Sequence, residues 1–166
     1  VEGQTIYAGM DVHLKNWKVT ILCGEMEHKQ FNQNPSAEIL ANYLKRNFPG
    51  ASYKAVYEAG FCGFGPCRKL RELGVDCMVI HPADVPTTQN ERFQKTDAVD
   101  SRKLAKSLRA KDFKGIDIPE VKLEIDRALI RQRVKLVKEI ARYKNRVKSL
   151  LMQLDITIPE SFKSQS

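Results

Sequence analysis

Thr5-Ile6-Tyr7-Ala8-Gly9-Met10-Asp11 is the stretch on which the fold turns. Ile6, Ala8 and Met10 alternate with Tyr7 and Gly9, the period-two pattern of a strand, and the run stops on a carboxylate. Trp17 to Cys23 reads as a second strand rich in β-branched residues. Gly24-Glu25 is a turn signal, and Glu27 to Asn32 reads as a third strand. Three strands joined by short connections predict an antiparallel meander.

The pattern then changes. Pro35-Ser36-Ala37-Glu38 opens a helix in which Ile39, Leu40, Tyr43, Leu44 and Phe48 fall at helical spacing, and Pro49-Gly50 stops it. Ser52 to Glu58 is a strand, Gly60 to Gly65 a glycine-rich turn, Pro66 to Leu73 a helix capped by Gly74, and Val75 to Ile80 a strand ended by His81-Pro82. Helix and strand alternating in this way predict parallel crossover units. Residues 83–94 are polar and read as a loop. Lys95 to Ala110 reads as a helix with Leu104, Ala105 and Leu108 on one face, and Gly115 to Ile118 as a short extended piece. A meander followed by alternating helices and parallel strands is the order of a ribonuclease-H-like α/β fold, a mixed sheet flanked by helices. Its first strand is central, with the strand after the first helix beside it.

From Pro119 the composition shifts. A long helix without internal Gly or Pro runs to about Asp155. Ile130, Val134, Val137, Ile140, Ala141, Val147, Leu151 and Leu154 form an apolar stripe of coiled-coil or helical-hairpin type, interrupted by Lys144. Between Arg127 and Lys148 the only acid is Glu139, against a dense run of Lys and Arg. Such a face suits a phosphate backbone; a dimerising helix with an indifferent basic face is the competing reading, and the two are compatible. The domains expected are therefore 1–118, an α/β catalytic domain; 119–155, the long basic helix; and 156–166, a tail.

The chain of 166 residues carries a net charge of +8, which favours an anionic partner, nucleic acid above all. It has no run near the roughly 20 apolar residues of a membrane span and no visible signal peptide, so a cytoplasmic protein without membrane association is expected. Cys23, Cys62, Cys67 and Cys77 lack Cys-x-x-Cys spacing and read as reduced thiols. Gly60, Gly63 and Gly65 do not make a phosphate loop of the Gly-x-x-x-x-Gly-Lys type, so no nucleotide cofactor is expected.

Four acids stand out on this basic chain. Asp11 and Glu58 end apolar strands, and in the expected sheet they become neighbours. Asp97 and Asp100 are three apart at the start of a helix, hence on one face. Four such carboxylates suit Mg²⁺ or Mn²⁺, whose usual partner is a phosphate, and they can hold two metals. Taken singly, each acid also has a structural reading: Asp11 as a turn residue, Glu58 paired with a lysine, Asp97 as a helix N-terminal acid, Asp100 paired with Lys103. His13, two residues beyond Asp11, faces the same side and is an accessory candidate or a surface histidine. Lys95, Arg102 and Lys103 flank the acidic pair as phosphate contacts or as a solvated helix face. Arg131, Lys135, Lys138, Arg142 and Arg146 are the nucleic-acid contacts expected on the long helix.

Three segments carry a resemblance: Gly9-Met10-Asp11-Val12-His13, Tyr57-Glu58-Ala59-Gly60 and Lys95-Thr96-Asp97-Ala98-Val99-Asp100-Ser101-Arg102-Lys103-Leu104-Ala105. They resemble the DEDD transposases of bacterial insertion sequences, the insertion sequence 110 group, which also includes the pilin gene invertase. The last segment is the most specific, and the resemblance covers nearly the whole chain. It implies a RuvC-like nuclease fold in which Asp11, Glu58, Asp97 and Asp100 bind Mg²⁺, and DNA recombination directed in at least some members by a structured RNA. It also implies a serine nucleophile in a C-terminal domain. The chain starts at Val1 and ends at Ser166, so it is expected to be a fragment lacking that domain; Ser161, Ser164 and Ser166 are not candidates for the nucleophile. Homo-oligomers through the long helix are expected. Two rival functions stay open: a stand-alone junction-resolving nuclease, and a non-catalytic nucleic-acid-binding or dimerisation module.

Overall fold

The structure, a computed structural model, describes residues 3–84, 97–112 and 114–158, with the side chains of 97 and 98 outside that description. The contacts divide the chain into two units, Val1–Ile118 and Pro119–Ser166.

In the first unit β1 (Thr5–Val12), β2 (Trp17–Cys23) and β3 (Met26–Gln33) form the antiparallel meander. α1 (Ala37–Asn47), β4 (Ser52–Glu58), α2 (Gly65–Glu72) and β5 (Asp76–Ile80) follow, then a short 3₁₀ turn at Pro82–Asp84 and α3 (Asp97–Ala110). The strands make one sheet in the order β3-β2-β1-β4-β5. β1 is central, antiparallel to β2 and parallel to β4, and β4 is parallel to β5. This is the ribonuclease-H-like arrangement, a mixed sheet with helices on both faces.

The alternation in β1 decides which side chains meet which helices. Ile6, Ala8 and Met10 are fully buried, with Val19, Ile21, Ala55, Tyr57, Cys77 and Val79, against Leu40, Ala41 and Leu44 of α1 and Cys67 and Leu70 of α2. The opposite face packs on α3, where Val56 and Ile80 meet Leu104 and Leu108, with Tyr7 and Met78 at the margin. On that second face β1 presents Tyr7, Gly9 and Asp11, and β4 presents Lys54, Val56 and Glu58.

Local chemistry sets the helix ends. Ser36 caps α1: its hydroxyl accepts from the Ile39 amide at 3.2 Å, so the helix begins one residue after the cap rather than at Pro35. Gly74, at φ +82°, takes the left-handed turn between α2 and β5. The Tyr57 hydroxyl donates to the Gly63 carbonyl at 2.8 Å and ties the glycine-rich turn to β4; burial pushes its pKa up. All four cysteines are free, with Cys67 and Cys77 buried and Cys23 and Cys62 half-buried.

The expected helix from Lys95 is described from Asp97 onward. Lys95, most of the polar stretch 83–94 and the serines at 161, 164 and 166 lie outside the described residues. The extended piece at 115–118 joins the sheet edge, where the Ile116 amide donates to the Val79 carbonyl at 2.7 Å.

The second unit is built on α4 (Val121–Gln153), one uninterrupted helix of 33 residues with no buried residue. Ile130, Val134, Val137, Ile140 and Val147 are all exposed, as are Arg131, Lys135, Lys138, Arg142 and Arg146. No helix among the described residues is long and apolar enough to cross a membrane.

Candidate functional site

The sheet brings Asp11 and Glu58 together. The β1–β4 register pairs Gly9 with Val56 and Met10 with Tyr57. One step further sets Asp11 beside Glu58 on adjacent parallel strands about 4.8 Å apart, on the face that α3 covers. This is the carboxyl end of the parallel strands β1 and β4, the edge at which ligands bind in an open α/β sheet.

Asp100 arrives from α3. Asp11, Glu58 and Asp100 line one open cleft of about 380 Å³, together with His13, Gly60, Phe61 and Leu104. Asp97 begins α3 one turn earlier, and its side chain lies outside the described residues.

Three features hold α3 over the acids. Gly9 comes first. A Cβ there would lie 2.1 Å from the Ser101 carbonyl oxygen and 2.3 Å from the Ala105 amide nitrogen. Those two atoms are the i, i+4 partners of one helical hydrogen bond, so the helix backbone rests directly on β1. The second feature is a buried polar cluster. The Ser101 and Thr20 hydroxyls are 2.9 Å apart, and the Gln30 amide donates to Thr20 at 2.8 Å and to Ser101 at 3.4 Å. Ser101 and Thr20 are fully buried, so the cluster fixes the rotation of α3 about its axis, and Asp100 is the residue next to Ser101. Third, Arg102 makes a two-pronged pair with Glu27 of β3, its Nη2 at 3.0 Å from Oε1, and Arg109 donates to the Gly24 carbonyl at 3.2 Å. Arg102 holds the Glu27 carboxyl below the usual carboxylate range.

The flanking residues divide. His13 Nε2 lies 3.0 Å from Asp11 Oδ2, which makes it a direct neighbour of the first acid. Arg102, expected as a phosphate contact, is engaged with Glu27. Lys103 is half-buried on α3 and has interactions of its own. Two residues escaped the sequence reading. Lys18 is the cross-strand partner of Asp11 and therefore shares its face; only the strand register identifies it. Gly9 lay within a quoted motif, but its contact is with α3, far along the chain.

The donors are carboxylate oxygens, the chemistry that Mg²⁺ and Mn²⁺ select. Among the described residues no group of three or more His, Cys, Asp and Glu side chains is gathered closely enough to hold a metal ion. Asp11, Glu58 and Asp100 share the cleft without being gathered around a single point. The donor types fit the metal.

Fold and site together define a ribonuclease-H-like (RuvC-like) domain with an acidic cleft at the carboxyl ends of its central strands. A family model described as transposase, that of the insertion sequence 110 DEDD group, matches residues 8–156, and the chain belongs to that family. The transposase for insertion sequence element IS1533 of Leptospira borgpetersenii is 29% identical over 159 residues, covering 92% of this chain and 45% of that protein. The protein named "Putative transposase y4rJ" of Sinorhizobium fredii is 27% identical, covering 92% of this chain and 43% of that protein. The chain thus spans less than half the length of these curated relatives. The solved structure of T. thermophilus RuvC in complex with Holliday junction substrate is similar over 68% of this chain and 99% of that one, at 12% identity and a TM-score of 0.49.

Proposed function

We propose that residues 1–118 are the metal-dependent DNA-cleaving domain of a transposase, with Asp11, Glu58, Asp97 and Asp100 as ligands for Mg²⁺ or Mn²⁺ at a scissile phosphate. The observation that carries this reading is the convergence of Asp11, Glu58 and Asp100, from three different elements, on one cleft of a basic chain. These carboxylates would hold a divalent cation there, and it would supply neutralisation of phosphate charge and activation of an attacking oxygen. The chain's own part is positional. β1 and β4 hold Asp11 and Glu58 in register, α3 carries the Asp97–Asp100 pair to them, and His13 orients the Asp11 carboxylate. Lys18 supplies a cation for the flanking phosphate.

Residues 119–155 act in this reading as a nucleic-acid-binding helix that also joins copies of the chain. Arg131, Lys135, Lys138, Arg142 and Arg146 contact DNA or a structured guide RNA, and the apolar stripe makes the homo-oligomer. The chain spans less than half the length of its curated relatives, and in this reading complete strand exchange is the work of a whole transposase in the bacterial cytoplasm. Calorimetric titration with Mg²⁺ and Mn²⁺ tests the site: wild type should bind and Asp11→Ala should bind much more weakly. Equal binding by both would sink the assignment.

A further inference from the structure

A second cavity lies on the same face of the sheet, at the opposite end of α3. It measures about 240 Å³ and is lined by Tyr7 of β1, Lys54 of β4, Asp76 and Met78 of β5, Leu108 of α3 and Lys111 just beyond it. Tyr7 and Lys54 each precede the cleft acid of their strand by four residues, which places the cavity about 13 Å from the Asp11–Glu58 pair.

Its chemistry is mixed in a particular way. Tyr7, Met78 and Leu108 offer a ring, a thioether and a branched aliphatic group, an apolar wall suited to a flat aromatic body. Gly115 stands so close to Met78 that a Cβ there would lie 2.9 Å from its Cγ. The lining also carries two ammonium groups, those of Lys54 and Lys111. Lys54 Nζ is 3.7 Å from Asp76 Oδ2. The Lys111 side chain has no ion-pair or hydrogen-bond partner among the described residues, nor has the Tyr7 hydroxyl. Lys111 also sits at φ +60°, a left-handed position after α3 that glycine fills more readily. A costly backbone conformation thus places a cation in the lining of a largely apolar cavity.

We propose that this cavity binds one unpaired nucleotide of a nucleic-acid strand, its base against Tyr7, Met78 and Leu108 and its phosphate at Lys111 and Lys54. A ring body carrying an anion meets both halves of the lining, and the volume is enough for one base. The Asp76 carboxylate accepts from an exocyclic amino group and disfavours a second phosphate. The inference rests on the nucleic-acid part of the proposed function and not on the metal site.

The test is a titration in metal-free buffer, followed by the ¹³C-methyl NMR signal of Met78, so the outcome is independent of the four carboxylates. Deoxyadenosine 5′-monophosphate should shift that signal saturably. Deoxyadenosine should bind more weakly, and inorganic phosphate alone should leave Met78 unmoved. Lys111→Gly removes the ammonium while relieving the backbone, so its denaturation midpoint should not fall, yet nucleotide affinity should drop about fivefold, the weight of one exposed ion pair. A single-stranded hexamer of deoxyadenylate should displace the mononucleotide. An unmoved Met78 at about 10 mM nucleotide, a concentration that reveals even feeble binding, would overturn the proposal, as would undiminished affinity in Lys111→Gly. Nucleotide binding that the hexamer cannot displace would overturn the assignment to a strand.

Discussion

Replacing Gly9 with alanine puts a methyl carbon where the backbone of α3 already lies. The new Cβ would stand 2.1 Å from the Ser101 carbonyl oxygen, 2.3 Å from the Ala105 nitrogen and 2.9 Å from the Ala105 Cα. Ordinary contact needs about 3.5 Å, so helix and strand must part by more than about 1 Å. No side chain can rotate out of the way, because all three atoms are main chain. Overpacking of a core costs about 1–3 kcal/mol, and a backbone clash belongs at the upper end, about 3 kcal/mol. For a unit of this size that is a fall of roughly 10 °C in melting temperature. The same movement withdraws Asp100 from Asp11 and Glu58, so metal affinity should fall even at temperatures where the variant is folded. Urea denaturation followed by circular dichroism measures the first effect and calorimetry the second. A Gly9→Ala protein with an unchanged urea midpoint would refute the close approach, and with it this account of how α3 is seated.

Three further outcomes follow from the same geometry. Thr20→Val removes the 2.9 Å contact with the buried Ser101 hydroxyl and should lower stability by about 1–3 kcal/mol in urea titrations. The Arg102–Glu27 pair is exposed, so Glu27→Gln should cost under about 1 kcal/mol. Because Arg102 depresses the folded-state pKa of Glu27, the wild-type contribution is present above the unfolded carboxylate range and fades as pH drops through the folded value; urea midpoints across acid pH should show the loss in wild type and not in Glu27→Gln. On the long helix, changing Arg131, Lys135, Lys138 and Arg142 together to glutamine should weaken nucleic-acid binding and reduce the slope of log affinity against log salt by about 3 to 4.

Much of this fold could be read from local pattern. Period-two alternation at Ile6, Ala8 and Met10 and the helical spacing of Leu40 and Leu44 each report one element's buried face, and Ser36, Gly50 and Gly74 mark ends through their own backbone chemistry. Asp11 and Glu58 were legible as neighbours because the element order dictates which strands adjoin. What escaped was set by contacts distant along the chain. Gly9 looks like any strand glycine until Ser101 and Ala105 are placed over it. Ser101 looks like a surface helix residue until Thr20 and Gln30 close around it. Arg102 sits among the acids in sequence, but its partner Glu27 is on the far strand of the meander, so the ion pair was invisible. Lys18 needed the β1–β2 register. The convergence of Asp11, Glu58 and Asp100 on one cleft is likewise tertiary.

The most direct measurement of the central claim is a crystal of the chain soaked in Mn²⁺ and examined for anomalous scattering. The account predicts a peak in the cleft at coordination distance, about 2.0–2.3 Å, from carboxylate oxygens of Asp11 and Glu58 and of at least one of Asp97 and Asp100. It predicts no such peak in Asp11→Asn crystals. An empty cleft at saturating Mn²⁺, or a metal held elsewhere on the chain and indifferent to Asp11→Asn, would contradict it.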